Sequence, residues 1–409
     1  MCADKKVPDI RFKGFSHTWH NKEIGSILTD IRRPVELLDD ESYQLITVKR
    51  RNEGIVPRSI LKGKNILVKN YYGIKAGDYL ISKRQVVHGA NGIVPESLDN
   101  AVVSNEYLIV TDSDEITAKF WSVISKRPEM HKLFFISSYG VDIEKLVFDV
   151  SDWKNRTITI PDVAEQNAII DHFQKLDSLI NQHQQKHDKL SNIKKAMLEK
   201  MFPKQGETVP EIRFKGFSGE WEEIQLEQIA GVRRGLTYKP SDISEDGIVV
   251  LRSSNINVDK FELRKDDVKV NQEAVKIGLI KNGDILITSA NGSSNLVGKH
   301  TVVKGLIVNA VHGGFMLVAT TKIPYFLNAS MSTYWYQRFL SINVSGGNGA
   351  IGNIKGRALE EVRLYIPKQE EQTAIGNYFQ KLDELINQHQ QQITKLNHIK
   401  QACLSKMFI

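Results

Sequence analysis

Two stretches of the 409-residue chain are rich in side chains that can bind nucleic acid. In the N-terminal half these are Arg32, Arg33, Lys49, Arg50, Arg51, Lys83, Arg84, Gln85, His88 and Asn91. In the C-terminal half they are Arg233, Arg234, Tyr238, Arg252, Ser254, Asn255, Ser289, Asn291, Ser293, Asn295, Lys299 and His300. Arg, Lys, Asn and Gln hydrogen-bond base edges, and Arg, Lys, Ser and backbone N–H groups also hold phosphates. Taken singly, each residue is better explained as part of a solvated loop.

The position of these stretches favours a functional role. Lys83–Asn91 follows the segment KAGDYLIS (Lys75–Ser82), and Ser289–His300 follows KNGDILIT (Lys281–Thr288), at an offset of 206 residues. The strand is repeated while the loop after it differs in sequence. A common scaffold with divergent loops is the pattern expected of two recognition modules with different targets.

The repeat extends over the whole chain. Phe173–Gln185 and Phe379–Gln391 agree at 12 of 13 positions, and Pro8–Ser16 and Pro210–Ser218 agree at eight of nine. The order is therefore arm, globule and helix, twice. This order predicts a first recognition domain at 1–160, a long helix at 161–203, a second recognition domain at 204–366 and a second long helix at 367–409.

Each helical copy carries a heptad pattern, with seam positions at alternating steps of three and four residues. The predicted seam consists of Phe173, Leu176, Ile180, His183, His187, Leu190, Phe379, Leu382, Ile386, His389, Ile393 and Leu396. This spacing predicts long helices, each about 60 Å in length, that bury one stripe against another helix. Two nearly identical seams favour pairing within the chain, and pairing between two copies of the chain is the alternative.

The linker between the first helix and the second globule, Pro203–Val209, favours antiparallel pairing. In a parallel pair the second globule would have to stretch back along the whole first helix, roughly 60 Å. In an antiparallel pair it is a compact excursion between neighbouring helix ends.

Three seam positions are histidines: His183, His187 and His389. A polar residue in a seam usually fixes register and orientation at some cost in stability. Metal binding is the alternative interpretation.

The globules themselves are predicted to be α+β, from short runs of Ile, Val, Leu and Tyr bounded by Gly, Asn or Asp. Predicted strands are Tyr43–Val48, Asn65–Val68, Tyr79–Ser82, Tyr107–Thr111, Ile248–Arg252, Asp284–Thr288, Leu306–Val308 and Phe315–Thr320. Short helices are predicted at Ile116–Ser125 and Tyr325–Leu340.

The sequence offers no convincing catalytic motif. Gly347–Gly352 matches GxGxxG but lies in what looks like a flexible loop, and Gly292–His300 departs from a P-loop in spacing and in its last residue. Asp267–Lys269 resembles part of a nuclease motif that arises readily by chance. We therefore expect a protein that is not itself an enzyme.

Composition sets broader bounds. The chain is 41% hydrophobic and 25% charged, with a formal net charge of +7 and two cysteines, Cys2 and Cys403. These values are typical of a soluble protein with a polyanionic partner, without disulfides or a zinc site. No apolar run is long enough for a signal peptide or a membrane span, so a cytoplasmic protein is expected.

These features together resemble the specificity (S) subunit of type I restriction-modification systems, over essentially the whole chain. The residues that carry the resemblance are the two RFKGFS arms with Trp19 and Trp221, the paired GD-x-L-I strands, the Ile-Pro…Glu-Gln-x-x-Ile segments at Ile160–Ile169 and Ile366–Ile375, and the helix ends Lys200–Phe202 and Lys406–Phe408. One departure is that the first globule has Ser137–Gly140 near the place of the Gly-rich loop Ser345–Gly352.

The resemblance implies a fold and a function. Each globule would be a target recognition domain that reads one half of a bipartite site in double-stranded DNA. The helices would form an antiparallel coiled coil that sets the spacer and docks two methyltransferase (M) subunits. The chain itself would hold no cofactor: S-adenosylmethionine would bind in the M subunits, and ATP and Mg²⁺ in restriction (R) subunits.

Two other functional classes are weighed against this one. A fused nuclease or methyltransferase would need a catalytic motif that the sequence lacks. A coiled-coil interaction scaffold without specific DNA binding would need only the helices.

Overall fold

The computed structural model describes residues 7–67, 70–257, 260–344 and 352–409. Cys2 and most of the Gly347–Gly352 match lie outside the described residues. The chain forms two compact units. Unit 1 runs to His183 and also contains Gln392–Ile409, whereas unit 2 is Gln184–Gln391. The four-segment division drawn from the sequence follows secondary structure and stays a prediction.

Unit 1 consists mainly of short strands, and most of its helices follow β10 in the chain. The strands are β1 (His20–Glu23), β2 (Thr29–Asp30), β3 (Pro34–Val35), β4 (Ser42–Val48), β5 (Ile55–Lys62), β6 (Tyr71–Gly73), β7 (Tyr79–Ser82), β8 (Asn91–Ile93), β9 (Val102–Ser104), β10 (Tyr107–Thr111), β11 (Ser138–Tyr139), β12 (Val147–Phe148) and β13 (Thr157–Ile160). The helices are α1 (Ile24–Ile27), α2 (Ala118–Ile124), α3 (Pro128–Ile136), α4 (Val150–Lys154) and the long α5 (Val163–Lys200), which continues into unit 2.

Unit 2 repeats this plan. Its strands are β14 (Glu222–Gln225), β15 (Ala230–Arg234), β16 (Ile243–Leu251), β17 (Ile256–Asn257), β18 (Lys260–Phe261), β19 (Lys269–Val270), β20 (Ile285–Thr288), β21 (Ala290–Asn291), β22 (His300–Val302), β23 (Ala310–His312), β24 (Met316–Thr321), β25 (Gly352–Asn353) and β26 (Arg363–Ile366). The helices are α6 (Pro324–Ser330), α7 (Tyr334–Asn343), α8 (Gly356–Glu360) and the long α9 (Gln369–Lys406), which continues into unit 1.

One four-stranded sheet in each unit corresponds strand for strand. The order β2-β10-β7-β8 in unit 1 matches β15-β24-β20-β22 in unit 2, and β7 and β20 are the copies of the GD-x-L-I strand. Both strands are buried along their length, which accounts for their continuous apolar sequence. The predicted α+β repeat is therefore confirmed.

Two predicted strands are wrong. Asn65–Val68 is not a strand: Gly63–Asn65 forms a 3₁₀ turn, Leu67 is 94% exposed, and Val68 lies outside the described residues. Leu306–Val308 is a loop in which Ile307 is 88% exposed. Apolar composition was misleading in both places because a strand also needs a neighbouring strand to pair with.

The long helices pair in antiparallel fashion, as predicted. In unit 1 the beginning of α5 meets the end of α9: Phe173 packs on Phe408 at 6.3 Å between ring centroids, and Lys400 pairs with Asp177 at 2.5 Å. In unit 2 the end of α5 meets the beginning of α9 through the corresponding residues. Phe202 packs on Phe379 at 6.0 Å, and Lys194 pairs with Asp383 at 2.7 Å.

The RFKGFS arm of unit 1 ties one helix end to the other. The Arg11 guanidinium donates two hydrogen bonds of 2.7 Å to the carboxylate of Glu165, at the start of α5. One residue earlier, the backbone N–H of Ile10 donates to the carbonyl of Lys406, at the end of α9.

Unit 2 contains the same arrangement. Arg213 donates to the carboxylate of Glu371 at 2.8 and 2.5 Å, and the N–H of Ile212 donates to the carbonyl of Lys200. Both Glu165 and Glu371 are almost fully buried. The repeated arm therefore supplies the counter-charge for the Glu of each Ile-Pro…Glu-Gln segment.

The close approach of two backbone segments at Gly235, the residue after β15, gives a first testable prediction. A Cβ on Gly235 would lie 1.9 Å from the carbonyl oxygen of Gly313. A Cβ on Gly231, which lies within β15, would meet nothing within 4 Å. We expect Gly235→Ala to destabilise unit 2 by more than about 2 kcal/mol, because backbone must move. Gly231→Ala is the matched control and should be neutral or slightly stabilising. Urea unfolding curves of both variants measure the difference, and similar midpoints would contradict the prediction.

Candidate nucleic-acid interface

Two loops predicted from the sequence converge in unit 1. The turn Lys49–Gly54 joins β4 to β5, and Lys83–Asn91 follows β7. The N–H of Arg51 donates to the carbonyl of His88 at 2.7 Å, and the N–H of Asn52 donates to the carbonyl of Gly89 at 2.8 Å. We call Lys49–Asn52 together with Lys83–Asn91 the unit 1 loop surface.

Carboxylates already pair with some cations of this surface. Arg50 contacts Glu144 at 2.7 Å, and His88 lies 3.6 Å from the same carboxylate. Arg84 pairs with Glu106 at 2.7 Å. All of these groups except His88 are about half exposed, so each pair contributes at most about 1 kcal/mol to stability and can exchange for another anion at little cost.

Lys83 lies deeper than its neighbours. Its ammonium donates to the carbonyl of Asn105 at 2.7 Å. Burial lowers the pKa of Lys83, and the positive charge of Arg32 lowers it further. Arg32 and Lys83 therefore lie close enough to repel each other, and the carboxylate of Glu106 raises the pKa of Lys83 in the opposite direction.

Buried polar atoms that lack a hydrogen-bond partner are concentrated on the same surface. Four buried side-chain atoms here form no hydrogen bond within the described part of the chain: Asn52 Oδ1, Gln85 Oε1, His88 Nε2 and Asn91 Nδ2. Such atoms are rare in native proteins and call for an explanation such as a ligand. Their concentration in one pair of loops marks this surface as a candidate binding site.

Arg33 and Arg233 have structural partners. Arg33 pairs with the buried Asp78 at 2.6 and 3.0 Å, and Arg233 pairs with the buried Asp284 at 3.1 Å. Each aspartate belongs to the repeated Gly-Asp pair that precedes β7 or β20. These ion pairs account for both arginines without a nucleic-acid contact, so neither arginine is assigned to the binding surface.

The predicted residues of unit 2 fall into three classes of exposure. Arg234, Ser254, Ser293 and Asn295 are exposed; Arg233, Tyr238, Arg252, Asn291 and Lys299 are half-buried; Asn255, Ser289 and His300 are buried. Asn255 holds its own loop together by donating to the carboxylate of Asp267 at 2.8–2.9 Å. His300 contacts Asn328 at 3.0 Å. The exposed and half-buried residues are thus the ones that a ligand can reach.

An open cavity of about 600 Å³, which we call the loop cavity, lies among these loops. Its lining residues include Tyr238, Arg252, Ser253, Asn291 and Phe315. It sits where β15, β16 and β20 end and where the turn between β23 and β24 returns. Strand ends from different parts of the sequence thus place aromatic and polar side chains around one space.

The burial of His312, the last residue of β23, makes the stability of unit 2 depend on pH. His312 is fully buried, contacts the carbonyl of Arg233 through Nε2, and has its pKa lowered by burial from 6.5 to about 4. The unfolded chain therefore takes up the proton first, so stability is complete above about pH 6.5 and is lost as the pH falls towards 4. We expect a loss of about 2 kcal/mol between about pH 7.5 and 5.0.

The non-titrating variant His312→Gln keeps a donor near the position of Nε2 and should remove most of this loss. Urea midpoints at the two pH values measure it. The same pH dependence in both proteins would contradict the assignment to His312.

Sequence reasoning missed several residues of both sites. Asn52 belongs to the unit 1 loop surface, Glu144 pairs with Arg50 of that surface, and Phe315 is a 68% exposed aromatic at the loop cavity. The sequence could have indicated Phe315 through the Gly-Gly pair before it, and Asn52 through the turn residues around it. Glu144 gave no such signal, because it lies 94 residues from Arg50 in sequence.

The predicted seam residues lie on the inner side of the long helices. Phe173, Leu176, Phe379, Leu382 and Ile393 are buried, whereas Ile180, His183, His187, Leu190, Ile386, His389 and Leu396 are half-buried. His187 contacts Asp188 at 3.0 Å. No group of three His, Cys, Asp or Glu side chains placed to hold a metal occurs among the described residues.

No helix in the described ranges is both long and apolar enough to span a membrane. The long helices are amphipathic instead, with charged residues outside the seam.

Comparison with known proteins gives a consistent result. Residues 218–398 match the family described as "Type I restriction modification DNA specificity domain". The MjaVIII specificity subunit of Methanocaldococcus jannaschii is 21% identical over 394 residues, which cover 90% of this chain and 87% of that protein. The StySPI specificity subunit of Salmonella potsdam is 28% identical over 193 residues, covering 44% of this chain and 39% of that protein.

A solved structure shares the fold. The type I restriction-modification S subunit from M. genitalium aligns with a TM-score of 0.57 and 14% identity, covering 98% of this chain and 99% of that one.

Proposed function

Because this chain belongs to the DNA specificity subunits of type I restriction-modification systems, we propose that each of its units reads one half of a bipartite DNA site. Unit 1 reads its half through the unit 1 loop surface. Unit 2 uses the loops around the loop cavity. The chain itself is non-catalytic, and the reaction belongs to its partners.

One observation carries this proposal: in each unit, the loop after the repeated buried strand meets a second loop that contains Arg and amide side chains. In unit 1 the meeting is fixed by two backbone hydrogen bonds, from Arg51 and Asn52. In unit 2 Asn291 Nδ2 donates to Ser253 Oγ at 3.2 Å. The scaffold is common to both units while the loop residues differ, so the two half-sites should differ in sequence.

The chemistry of the loops suits DNA. Exposed guanidinium and ammonium groups neutralise phosphates and give an affinity that falls with salt. Amide side chains such as Gln85 and Asn291 can form paired hydrogen bonds with adenine in the major groove. Phosphate contacts thus position each unit, and the amides select the base sequence.

The partners in this proposal are two methyltransferase subunits, which bind S-adenosylmethionine and methylate adenine. Two restriction subunits that use ATP and Mg²⁺ complete the nuclease. The docking surface for the methyltransferases consists of the outer faces of α5 and α9 with the adjacent faces of each unit.

The paired helices set the length of the spacer between half-sites. Inserting one heptad into both α5 and α9 adds about 10 Å of helix, close to three base-pair steps. The expected result is a longer recognised spacer with unchanged half-sites. Altered half-sites with the original spacer would exclude this role for the helices.

The proposed function is tested by co-expressing the chain with its methyltransferase partner and mapping adenine methylation across the host genome. We expect a split motif with a constant spacer that disappears when this chain is omitted. Methylation that does not depend on the chain would refute the proposal.

A further inference from the structure

We propose that the loop cavity of unit 2 takes up a nucleobase displaced from the DNA stack, so that unit 2 reads one base pair of its half-site with a base extruded. The inference rests on the proposed function and specifies how one of its two reading sites works. The ligand class is a purine or pyrimidine base still attached to its strand.

The size and walls of the loop cavity suit a flat aromatic ring. Its volume of about 600 Å³ lies within the usual range of about 300–1,000 Å³ for small-molecule sites. Buried Leu236, Val250 and Met316 form apolar wall, while Tyr238 and the exposed ring of Phe315 offer aromatic surface. Stacking of a base on an aromatic side chain is favourable and offsets part of the cost of unstacking.

The polar part of the wall supplies groups for a base edge. Arg252 Nε is buried and has no hydrogen-bond partner in the described ranges. Ser253 Oγ and the Asn291 amide, already joined at 3.2 Å, line the same cavity. The Nη2 of the same guanidinium is 3.5 Å from the carbonyl oxygen of Asp266, so Arg252 is held at the cavity wall, and an Arg side chain there suits a base with acceptors such as O6 and N7 of guanine.

The corresponding loops of unit 1 are joined through their backbones. There the turn after β4 is held against the loop after β7 by hydrogen bonds from Arg51 N to His88 O and from Asn52 N to Gly89 O. In unit 2 the residues after β16 form a 3₁₀ turn at Ser253–Asn255, and the loop cavity lies beside it. We therefore expect base extrusion in the half-site of unit 2, while unit 1 reads stacked bases.

The test uses the complete complex of this chain with its methyltransferase partner and duplexes that carry the mapped split site. Each base pair of both half-sites is replaced in turn by a mismatch in which only one strand is changed. A mismatch removes part of the unpairing cost, so it should tighten binding at least about tenfold at the extruded position. Elsewhere a mismatch should weaken binding or leave it unchanged. The methylated adenine is left out of this comparison, because the methyltransferase must extrude that base itself.

Two variants assign the effect to the loop cavity. Phe315→Ala removes an exposed ring and should abolish the mismatch gain. Ile307→Ala removes a comparably exposed apolar side chain from a loop outside the cavity and should preserve it.

The inference is overturned if no mismatch in the unit 2 half-site tightens binding, or if the gain survives in Phe315→Ala. Specific binding without any mismatch gain would refute the extruded base alone. A wild-type complex that neither binds nor methylates a split site would refute the proposed function together with it.

Discussion

Replacing Arg11 by Met is expected to lower the free energy of unfolding of unit 1 by about 3–5 kcal/mol. The Glu165 side chain is only 1% exposed, and Arg11 donates two hydrogen bonds of 2.7 Å to its carboxylate. Without Arg11, the buried carboxylate would keep, from the side chains that the structure describes, only the 3.2 Å hydrogen bond donated by Trp19 Nε1. An uncompensated buried charge is among the costliest changes that one substitution can make.

The matched control is Arg156→Met in the same unit. Arg156 also forms several hydrogen bonds with one carboxylate, that of Asp152, but both side chains remain about 34–43% exposed. Solvent screens this pair, so its loss should cost much less than the loss of the Arg11 pair.

A double variant separates charge burial from lost packing. Arg11→Met combined with Glu165→Leu should recover most of the stability, since apolar replacements of buried ion pairs are often tolerated. Urea unfolding followed by circular dichroism gives all three values. Equal losses in Arg11→Met and Arg156→Met would contradict the structural role assigned to the arm.

Replacing Gln85 by Ala is expected to relax selection at one A·T pair, in one half-site only. Gln85 lies on the unit 1 loop surface, and its Oε1 is buried without a hydrogen-bond partner in the part of the chain that the structure describes. A Gln side chain pairs with N6 and N7 of adenine, and a good pair of this kind discriminates by about 1–3 kcal/mol. Selectivity at that position should fall about 5- to 150-fold.

Methylation mapping with the co-expressed methyltransferase measures this effect at every position of the site. Gln174→Ala is the control: this residue is on α5 in the same unit and lies outside the loop surface. It should leave the motif unchanged. Relaxation in both half-sites, or in neither, would count against reading by the unit 1 loop surface.

The sequence alone determined the architecture of this protein, because its strongest signals are repeats and periodicity. Nearly identical helical cores and arms, with matching GD-x-L-I strands, at offsets of 202 to 206 residues required two similar halves. The heptad spacing specified which helical residues face a partner, and the short linker specified antiparallel pairing. Continuing the same spacing beyond the predicted seam reaches two lysines, Lys194 and Lys400. The structure explains them, since Lys194 and Lys400 pair with Asp383 and Asp177.

Tertiary structure decided which polar residues are available to a ligand. Arg33 and Arg51 look alike in sequence, yet Arg33 is held by Asp78 whereas Arg51 is exposed on a turn. Asn255 donates to partners of its own loop, whereas Asn291 accepts from Ser293 in its own loop and also donates to Ser253 in another loop. Such partners are brought together by strand pairing between distant segments, so no local pattern records them.

The loop cavity and the two false strands have the same physical origin. Phe315 becomes an aromatic wall only because the β23–β24 turn returns beside Tyr238 and Arg252. Leu306–Val308 and Asn65–Val68 have the composition of strands, but the fold provides no partner strand to the described residues there. Local sequence sets the propensity of a segment, whereas burial and pairing depend on contacts between residues far apart in the chain.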